Sequence, residues 1–178
     1  HRRDQFAKQL FVVLQFNWFT IGLGVASLAI VAAYPFMKRI TNLPQLVLGL
    51  AFSWGALMGW AAVQGSLALS PILLYIGAIL WTIGYDTIYA HQDKEDDALI
   101  GVRSTARLFG DSSPVILAGF AGVAVLLLAA AVAMSGRDVL MGAAGVGAFG
   151  LHLVWQLRKF QPDQGDVCLR LFRSNRDA

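Results

Sequence analysis

The sequence predicts an all-α fold, a polytopic bundle of transmembrane helices, on three observations. Hydrophobic residues make up 57% of the 178 residues and charged residues only 14%, whereas soluble domains carry about 25% charged residues. Five mostly apolar segments each have about the 17–25 residues that a helix needs to cross a bilayer. The charged residues are concentrated between these segments. An ordinary soluble domain is therefore excluded.

The first three predicted spans are Leu10–Ala33, Pro44–Val63 and Pro71–Ala90, with a loop at 34–43 after the first. The second and third spans begin at proline, which suits the first helical turn because its missing N–H would have no helical partner there. The third span alone carries an ionised group, Asp86, close to its end. That residue distinguishes this span from the others.

The last two predicted spans are Pro114–Met134 and Val139–Gln156, and a long charged segment, 91–113, precedes them. Ser113 provides N-cap chemistry directly before the proline that opens the fourth span. Both spans are dense in glycine and alanine, which allows neighbouring helices to approach closely. We therefore expect tight helix packing in this half of the chain.

Basic residues between the spans predict the orientation of the protein. One side of the membrane receives most of them: Lys38, Arg39, Lys94, Arg103, Arg107, Arg158 and Lys159. Cytoplasmic loops carry an excess of lysine and arginine, so this side is predicted to be cytoplasmic. A single first span would place Arg2, Arg3 and Lys8 on the opposite side of the membrane from the other basic residues. Either preceding segments orient this end, or the first 33 residues hold part of a second helix. Topology and lipid contact account for the net charge of +3 without a nucleic acid partner.

The segment from Asp86 to Asp111 holds six of the eleven acidic residues, while residues 40–85 and 112–136 contain no Asp, Glu, Lys or Arg. Charges at or near bilayer depth are costly and usually functional. Five carboxylates within twelve residues repel one another unless cations are present, and a divalent metal with oxygen ligands is the expected cation. The alternative is a solvated acidic loop with Lys94 and Arg103 as counter-ions.

Spacing places three of these carboxylates together. Asp93 and Asp97 are four residues apart and Asp86 and Asp93 are seven apart, so a helix that continued past the membrane rim would carry all three on one face. Mg²⁺ commonly bridges one or two carboxylates to substrate phosphates. We therefore predict that Asp93 and Asp97 are metal ligands and that Asp86 belongs to the same site.

Two groups of cations lie on the same side of the membrane as these carboxylates. Lys38 and Arg39 are either topology anchors or residues that neutralise a diphosphate whose charge grows as it leaves. Arg103 and Arg107, with the Ser104–Thr105 pair between them, are equally suited to phosphate oxygens. A paired-cation loop facing the DxxxD pattern favours phosphate chemistry.

Other residues near the acidic segment have more than one interpretation. Tyr85 and Tyr89 are either interfacial aromatics or cavity residues whose π faces stabilise a carbocation. His91 is a candidate proton carrier, although a lone interfacial histidine is more often incidental. Cys168 is the single cysteine, which excludes an internal disulfide and favours a small apolar packing role.

Two blocks of sequence carry a resemblance to a known family. They read YPFMKRITNLPQ followed by LGLAFSWG, and WTIGYDTIYAHQDKEDDALIGVRSTARLFG. These blocks resemble the UbiA family of 4-hydroxybenzoate polyprenyltransferases of ubiquinone biosynthesis. The homogentisate, chlorophyll and haem O prenyltransferases of the same superfamily keep acidic motifs but do not share these sequence blocks. The resemblance covers roughly Asn17 to Asp177 and includes CLRLFRSNR near the end.

The resemblance implies an all-helical intramembrane enzyme of nine spans, of which about five are present here. In that family two aspartate-rich motifs at the cytoplasmic mouth hold Mg²⁺ and the diphosphate of a polyprenyl donor, whose prenyl group is transferred to the ring of 4-hydroxybenzoate. Asp93 and Asp97 match the second motif, and Asp86 stands just before it.

The resemblance also assigns roles to the cations. Tyr34 and Lys38 match the family's YxxxK element beside the leaving diphosphate, and Arg103 stands where the family usually has a basic residue. The expected catalytic set is Asp86, Asp93, Asp97, Tyr34 and Lys38. The expected diphosphate-binding set is Lys38, Arg39 and Arg103.

The chain departs from the family in its extent. Residues 1–178 are expected to form part of a single prenyltransferase domain, because the first aspartate-rich motif, the N-terminal helices and the C-terminal end have no counterpart. The chain alone is therefore expected to be inactive. The expected location is the bacterial or mitochondrial inner membrane, with the acidic loop on the cytoplasmic or matrix side. The sequence predicts neither the prenyl length nor the oligomeric state.

Three rival functions stay open at this point. An ion channel or carrier would need acidic residues at mid-membrane in several spans, and the other spans lack them. A superfamily enzyme with another aromatic acceptor and a non-catalytic membrane fragment both fit the same spans.

Overall fold

The computed structural model describes residues 11–12, 14–99 and 101–177, and the described part is helical, without strands. This confirms the all-α fold. The helices are α1 (Trp18–Ile40), α2 (Pro44–Phe52), α3 (Gly55–Gln64), α4 (Leu69–Ala90), α5 (Lys94–Leu99), α6 (Thr105–Phe109), α7 (Ser113–Met134), α8 (Val139–Lys159) and α9 (Gly165–Ser174), with 3₁₀ turns at Gly110–Ser112 and Asn175–Asp177.

The described part contains five helical segments that are long and apolar enough to cross a membrane, as predicted. They are Trp18–Met37, Pro44–Gln64, Leu69–Ala90, Thr105–Met134 and Val139–Lys159. In an 18-residue stretch of each segment, between 6% and 33% of the residues are buried within the chain. The remaining apolar surface faces outwards, as expected for an integral membrane protein whose helices contact lipid or further helices.

The first span lies later in the chain than predicted. Helix α1 begins at Trp18 because the Asn17 side chain caps it, accepting a hydrogen bond from the backbone N–H of Thr20 at 2.9 Å. The helix then continues to Ile40 with Pro35 inside it, so the prediction of a loop from residue 34 was wrong. Neighbouring groups in membrane helices compensate for the N–H that proline lacks. Arg2, Arg3 and Lys8 lie outside the described residues.

The second span consists of two helices, α2 and α3, interrupted at Ser53 and Trp54. The Trp54 indole N–H donates to the Leu23 carbonyl of α1 at 3.1 Å. The Tyr75 hydroxyl of α4 donates to the Leu50 carbonyl at 3.0 Å. The break is therefore held from both sides by neighbouring helices.

Helix α4 lies at the centre of the fold and packs against α2, α3, α7 and α9. Its closest approach is to α7, where a Cβ placed on Gly77 would lie 2.3 Å from Leu128 Cδ1 and 3.2 Å from the Ala124 carbonyl oxygen. Nearby, the buried Ser70 hydroxyl donates to the Ala131 carbonyl at 2.8 Å. Small residues therefore allow the close packing that the sequence predicted for this half of the chain.

Helix α9 is an element that the sequence analysis missed, because the last predicted span ends at Gln156 and no helix was predicted after it. Its apolar face completes the buried cluster at the end of α4, which contains Ile88, Leu117, Phe160, Cys168 and Leu171. Because its opposite face carries charged residues, the segment lacks the uninterrupted apolar run that identifies a span. Tertiary packing stabilises this amphipathic helix.

We expect Cys168 to resist thiol reagents in the folded protein. Its side chain is fully buried, its Sγ donates to the Gln161 carbonyl at 3.3 Å, and burial, with the negative charge of Asp163, raises the pKa of the thiol to about 11. The reactive thiolate therefore forms only as the pH approaches that value. Mass spectrometry should find Cys168 unmodified after maleimide treatment at pH 7.5 and modified after denaturation in detergent. Rapid modification of the folded protein would contradict this packing.

Candidate functional site

The acidic segment leaves the membrane through a turn and not as a continuation of α4. Helix α4 ends at Ala90, residues 91–93 form a turn, and α5 starts at Lys94. The condition under which Asp86, Asp93 and Asp97 would share one helical face, a continuous helix through Asp97, is therefore not met. The Asp97 N–H nevertheless donates to the Asp93 carbonyl at 2.8 Å. Asp93 and Asp97 are thus one helical turn apart, as their spacing predicted.

The turn is fixed by His91, whose side chain is only 5% exposed. The ring packs edge-on against Phe160, with the ring centroids 5.2 Å apart, and its Nε2 lies 3.0 Å from Ser113 Oγ. The Ser113 hydroxyl also donates to the Gly110 carbonyl at 2.7 Å, so this serine connects His91 to the turn before α7. Burial, and then the positive charge of Lys94, lower the pKa of His91 below 6.5. These contacts indicate a structural role for the neutral ring.

The carboxylates fit a metal that is shared with a substrate. Asp86, Asp93 and Asp97 are all partly buried, and Asp86 lies within α4. The described residues contain no group of three or more His, Cys, Asp or Glu side chains that could hold a metal ion, so Asp86 does not complete a three-carboxylate cage. Mg²⁺ usually keeps several waters and binds one or two carboxylates plus substrate phosphates. The donor set of Asp93 and Asp97 fits that type of site.

Arg107 holds the loop that follows Asp97. Its Nη1 donates to the Asp97 carbonyl at 3.3 Å and also to the Val102 carbonyl. The Val102 N–H donates a second hydrogen bond to the same Asp97 carbonyl, at 2.9 Å. Gly101 makes this reversal possible because its φ of +73° is one that residues with a side chain rarely adopt. The backbone of Asp97 is therefore fixed from several directions.

Arg103 connects the acidic segment to the helix that carries the YxxxK element. Its Nη1 donates to the Ile40 carbonyl at the end of α1, at 2.9 Å. Tyr34 is partly buried in this helix, and the side chains of Lys38 and Arg39 lie outside the described part of the structure. A guanidinium has five N–H donors, so this bond is compatible with phosphate binding. The structure thus brings the last turns of α1 beside the acidic segment.

A buried polar network anchors the far end of this segment, and the sequence did not reveal it. The Thr87 hydroxyl donates to the Ile83 carbonyl, and Thr105 Oγ1 lies 2.6 Å from Thr87 Oγ1. The Thr105 N–H also donates to Gln45 Oε1 at 3.3 Å. Thr105 is fully buried, so it holds α6 against α4 and α2. The sequence analysis had suggested that the Ser104–Thr105 pair could bind phosphate, but Thr105 does not face outwards.

The two faces of α5 have different surroundings. A cavity of about 530 Å³ lies along the face that carries Lys94, Glu95 and Asp96, and it also includes Arg107 and Asp163. Asp93 and Asp97 are not among the residues that line it. Glu95 and Asp96 can therefore be substituted separately from Asp93 and Asp97.

Comparison with known proteins identifies the family. A sequence model described as the UbiA prenyltransferase family matches residues 6–176. The mitochondrial 4-hydroxybenzoate polyprenyltransferase of Drosophila melanogaster is 49% identical over 172 residues, which are 96% of this chain and 44% of the relative. Those of Rattus norvegicus and Homo sapiens are 47% and 45% identical over 173 residues, 97% of this chain and 46% of each relative.

The chain thus spans less than half the length of these relatives. No significant match to a solved structure is found. The family match includes α1, the acidic segment and α9. From its helical spans and from a match over nearly its whole length, the chain belongs to the UbiA prenyltransferase family.

Proposed function

We propose that this chain is part of a 4-hydroxybenzoate polyprenyltransferase that acts in ubiquinone biosynthesis. The full protein transfers a polyprenyl group from polyprenyl diphosphate to the ring of 4-hydroxybenzoate. The observation that carries the site is the bond from Arg103 to the end of α1, because it joins the DxxxD turn to the helix with the YxxxK element. The named relatives support the substrate pair.

The proposed diphosphate site divides its tasks among three groups. Asp93 and Asp97 would hold Mg²⁺, and the bound ion would supply positive charge that stabilises the diphosphate as a leaving group. Three cations bind the diphosphate oxygens: Lys38, Arg39 and Arg103. Positive groups fixed where charge develops contribute most to the rate when water is excluded.

The reaction then proceeds by alkylation of the ring. The allylic C–O bond breaks and its electron pair leaves with the diphosphate. A pair of π electrons from the ring carbon beside the phenol forms the new C–C bond, and loss of the ring proton restores aromaticity. The proton passes to the diphosphate or to a carboxylate. Asp86, which lies within the membrane part of α4, is the proposed carboxylate. Tyr34 is the remaining proposed catalytic residue.

The proposed setting follows from the same comparisons. The relatives are mitochondrial, and we propose the inner membrane of a mitochondrion or bacterium, with the acidic segment on the matrix or cytoplasmic side. The chain forms one transmembrane prenyltransferase domain together with segments outside it, which supply the first aspartate-rich motif.

The function is tested in the full-length protein, including the segments beyond this chain, in lipid nanodiscs. Radiolabelled 4-hydroxybenzoate and polyprenyl diphosphates of several lengths should give a prenylated product with Mg²⁺ and none with excess EDTA. Homogentisate serves as the competing acceptor. Product that is independent of divalent metal, preference for homogentisate, or no product from any donor would each contradict the proposal.

A further inference from the structure

A groove of about 490 Å³ lies between α3, α4 and α7, at the membrane face opposite the acidic segment. The acidic segment connects the end of α4 to the start of α7, so the other ends of these two helices, at Leu69 and Met134, lie at the opposite face. Pro71 and Ala131, each close to one of these ends, line the groove. We refer to it as the α3–α7 groove.

One face of α3 forms a wall of the groove along the whole helix. Residues four positions apart share a helical face, and the lining residues of α3 follow this spacing in two rows: Gly55, Gly59 and Val63, and Ala56, Trp60 and Gln64. The 10 residues of α3 extend about 15 Å at about 1.5 Å per residue, half of the ~30 Å hydrocarbon thickness of a bilayer. The groove therefore reaches through one leaflet, from the membrane face to about the bilayer centre.

The deep part of the groove is open because α3 carries small residues there. Gly55 and Gly59 lie in the half of α3 nearer the bilayer centre, and a Cβ placed on either of them would meet no atom within 4 Å. Where α4 meets α7, the Ser70 hydroxyl is already used, because it donates to the Ala131 carbonyl at 2.8 Å. The interior of the groove therefore suits a hydrocarbon chain.

Two hydrogen-bond donors near the mouth of the groove have no partner among the described residues. One is the indole N–H of Trp60, whereas the indoles of Trp54 and Trp81 donate to other residues of the chain. The other is the guanidinium of Arg137, which is exposed in the loop after α7 and lines the groove. The adjacent Asp138 carboxylate does not neutralise it by contact, because that carboxylate caps the start of α8.

An apolar space with donors at its mouth matches a glycerophospholipid. One acyl chain fits the wall of α3, and a guanidinium binds a phosphate through parallel charge-assisted hydrogen bonds. Tryptophan is enriched where membranes meet water, with its ring at the level of the lipid head groups. A choline head group would bring a second positive charge close to Arg137, whereas an anionic head group would not. The charge of the mouth therefore favours an anionic lipid.

We propose that the α3–α7 groove binds an anionic glycerophospholipid from the leaflet opposite the acidic segment. Its phosphate lies at Arg137, and one acyl chain lies along α3. The site is separate from the proposed diphosphate site, because the acidic segment begins at the other end of α4. The proposal does not depend on the proposed function, since neither the prenyl donor nor the aromatic acceptor takes part in it.

Photolabelling of the full-length protein in detergent micelles tests the site. Phosphatidylglycerol with a diazirine in one acyl chain is added and illuminated, and mass spectrometry of the digested protein locates the label. We expect label on α3 and on residues 131–135. Unlabelled phosphatidylglycerol should compete about fivefold better than phosphatidylcholine with the same chains, the upper range for an exposed ion pair. Glycerol 3-phosphate, which has no acyl chain, should not compete.

Two pairs of variants test the two parts of the site. Gly59→Leu should reduce the label at least about fivefold, because its side chain occupies the space of the acyl chain. Gly122→Leu, at an exposed position of α7 outside the groove where a Cβ also meets no atom within 4 Å, should label like the wild type. Arg137→Gln should remove the preference for phosphatidylglycerol, and Arg158→Gln, an exposed position at the other membrane face, should keep it.

Four results would overturn this site. Absence of label from α3 in the wild type would mean that other segments of the full-length protein cover the groove. Equal competition by the two phospholipids would mean that the groove takes any lipid chain, and competition by polyprenyl diphosphate would assign it to the prenyl donor. Equal labelling of Gly59→Leu and Gly122→Leu would mean that the label reaches α3 from bulk lipid. The competition experiments use only the wild type and therefore do not depend on how the variants fold.

Discussion

Replacing Asp93 and Asp97 together by asparagine is expected to reduce Mg²⁺-dependent prenyl transfer by about a hundredfold or more. The two carboxylates are one helical turn apart at the membrane rim, and the change removes the charge that holds the metal against the diphosphate. Loss of a group that stabilises charge in the transition state costs about 10²–10³ in rate. Initial rates in the full-length protein at saturating substrates measure the effect.

The matched control changes the neighbouring carboxylates of the same helix. Glu95→Gln with Asp96→Asn removes the same charge from α5, but these residues line the separate cavity on its other face. We expect this double variant to keep a rate within about threefold of the wild type, since the electrostatic interactions of exposed charges are weak. Equal losses in both double variants would mean that the overall negative charge matters and that the Asp93–Asp97 pair has no special role.

Gly77→Val is expected to lower the free energy of unfolding by about 2–3 kcal/mol, the usual cost of forcing a larger side chain into a packed core. The added carbon would lie 2.3 Å from Leu128 Cδ1 and 3.2 Å from the Ala124 carbonyl oxygen. Leu128 can rotate away, but the backbone of α7 cannot move without separating the two helices. Detergent-titrated unfolding, followed by circular dichroism, measures the change.

Gly119→Val provides the control for helix propensity. Gly119 lies in α7, and a Cβ placed there would meet no atom within 4 Å, so the same substitution should cost less than about 1 kcal/mol. A stability of Gly77→Val equal to that of Gly119→Val would show that α4 and α7 do not pack as closely as described.

Hydropathy predicted the transmembrane helices because each must expose a long apolar surface to lipid. It did not predict where α1 ends: the predicted apolar span stops at Ala33, whereas the helix continues through Pro35 to Ile40, since the membrane environment tolerates proline within a helix. It also missed α9, where Arg170 and Arg173 interrupt the apolar pattern. That helix forms because Cys168 and Leu171 complete a buried cluster on α4 and α7, which is a tertiary effect.

The candidate site could be predicted from the sequence only in part, for a related reason. The spacing of Asp93 and Asp97 is local, and it predicted their proximity correctly. The turn at His91 depends on contacts with Ser113 and Phe160, which are distant in the chain. The bond from Arg103 to the Ile40 carbonyl joins residues 63 positions apart, and no pattern in the sequence indicates such a pair.

The most direct test of the site is metal binding itself. Mn²⁺, used in place of Mg²⁺, is titrated into the full-length protein with and without inorganic pyrophosphate, and electron paramagnetic resonance reports the bound fraction. We predict that pyrophosphate tightens Mn²⁺ binding in the wild type and in the Glu95→Gln/Asp96→Asn control, and that Asp93→Asn/Asp97→Asn abolishes this tightening. Identical titrations for the wild type and the Asp93→Asn/Asp97→Asn variant would contradict the assignment of these two carboxylates as the metal ligands.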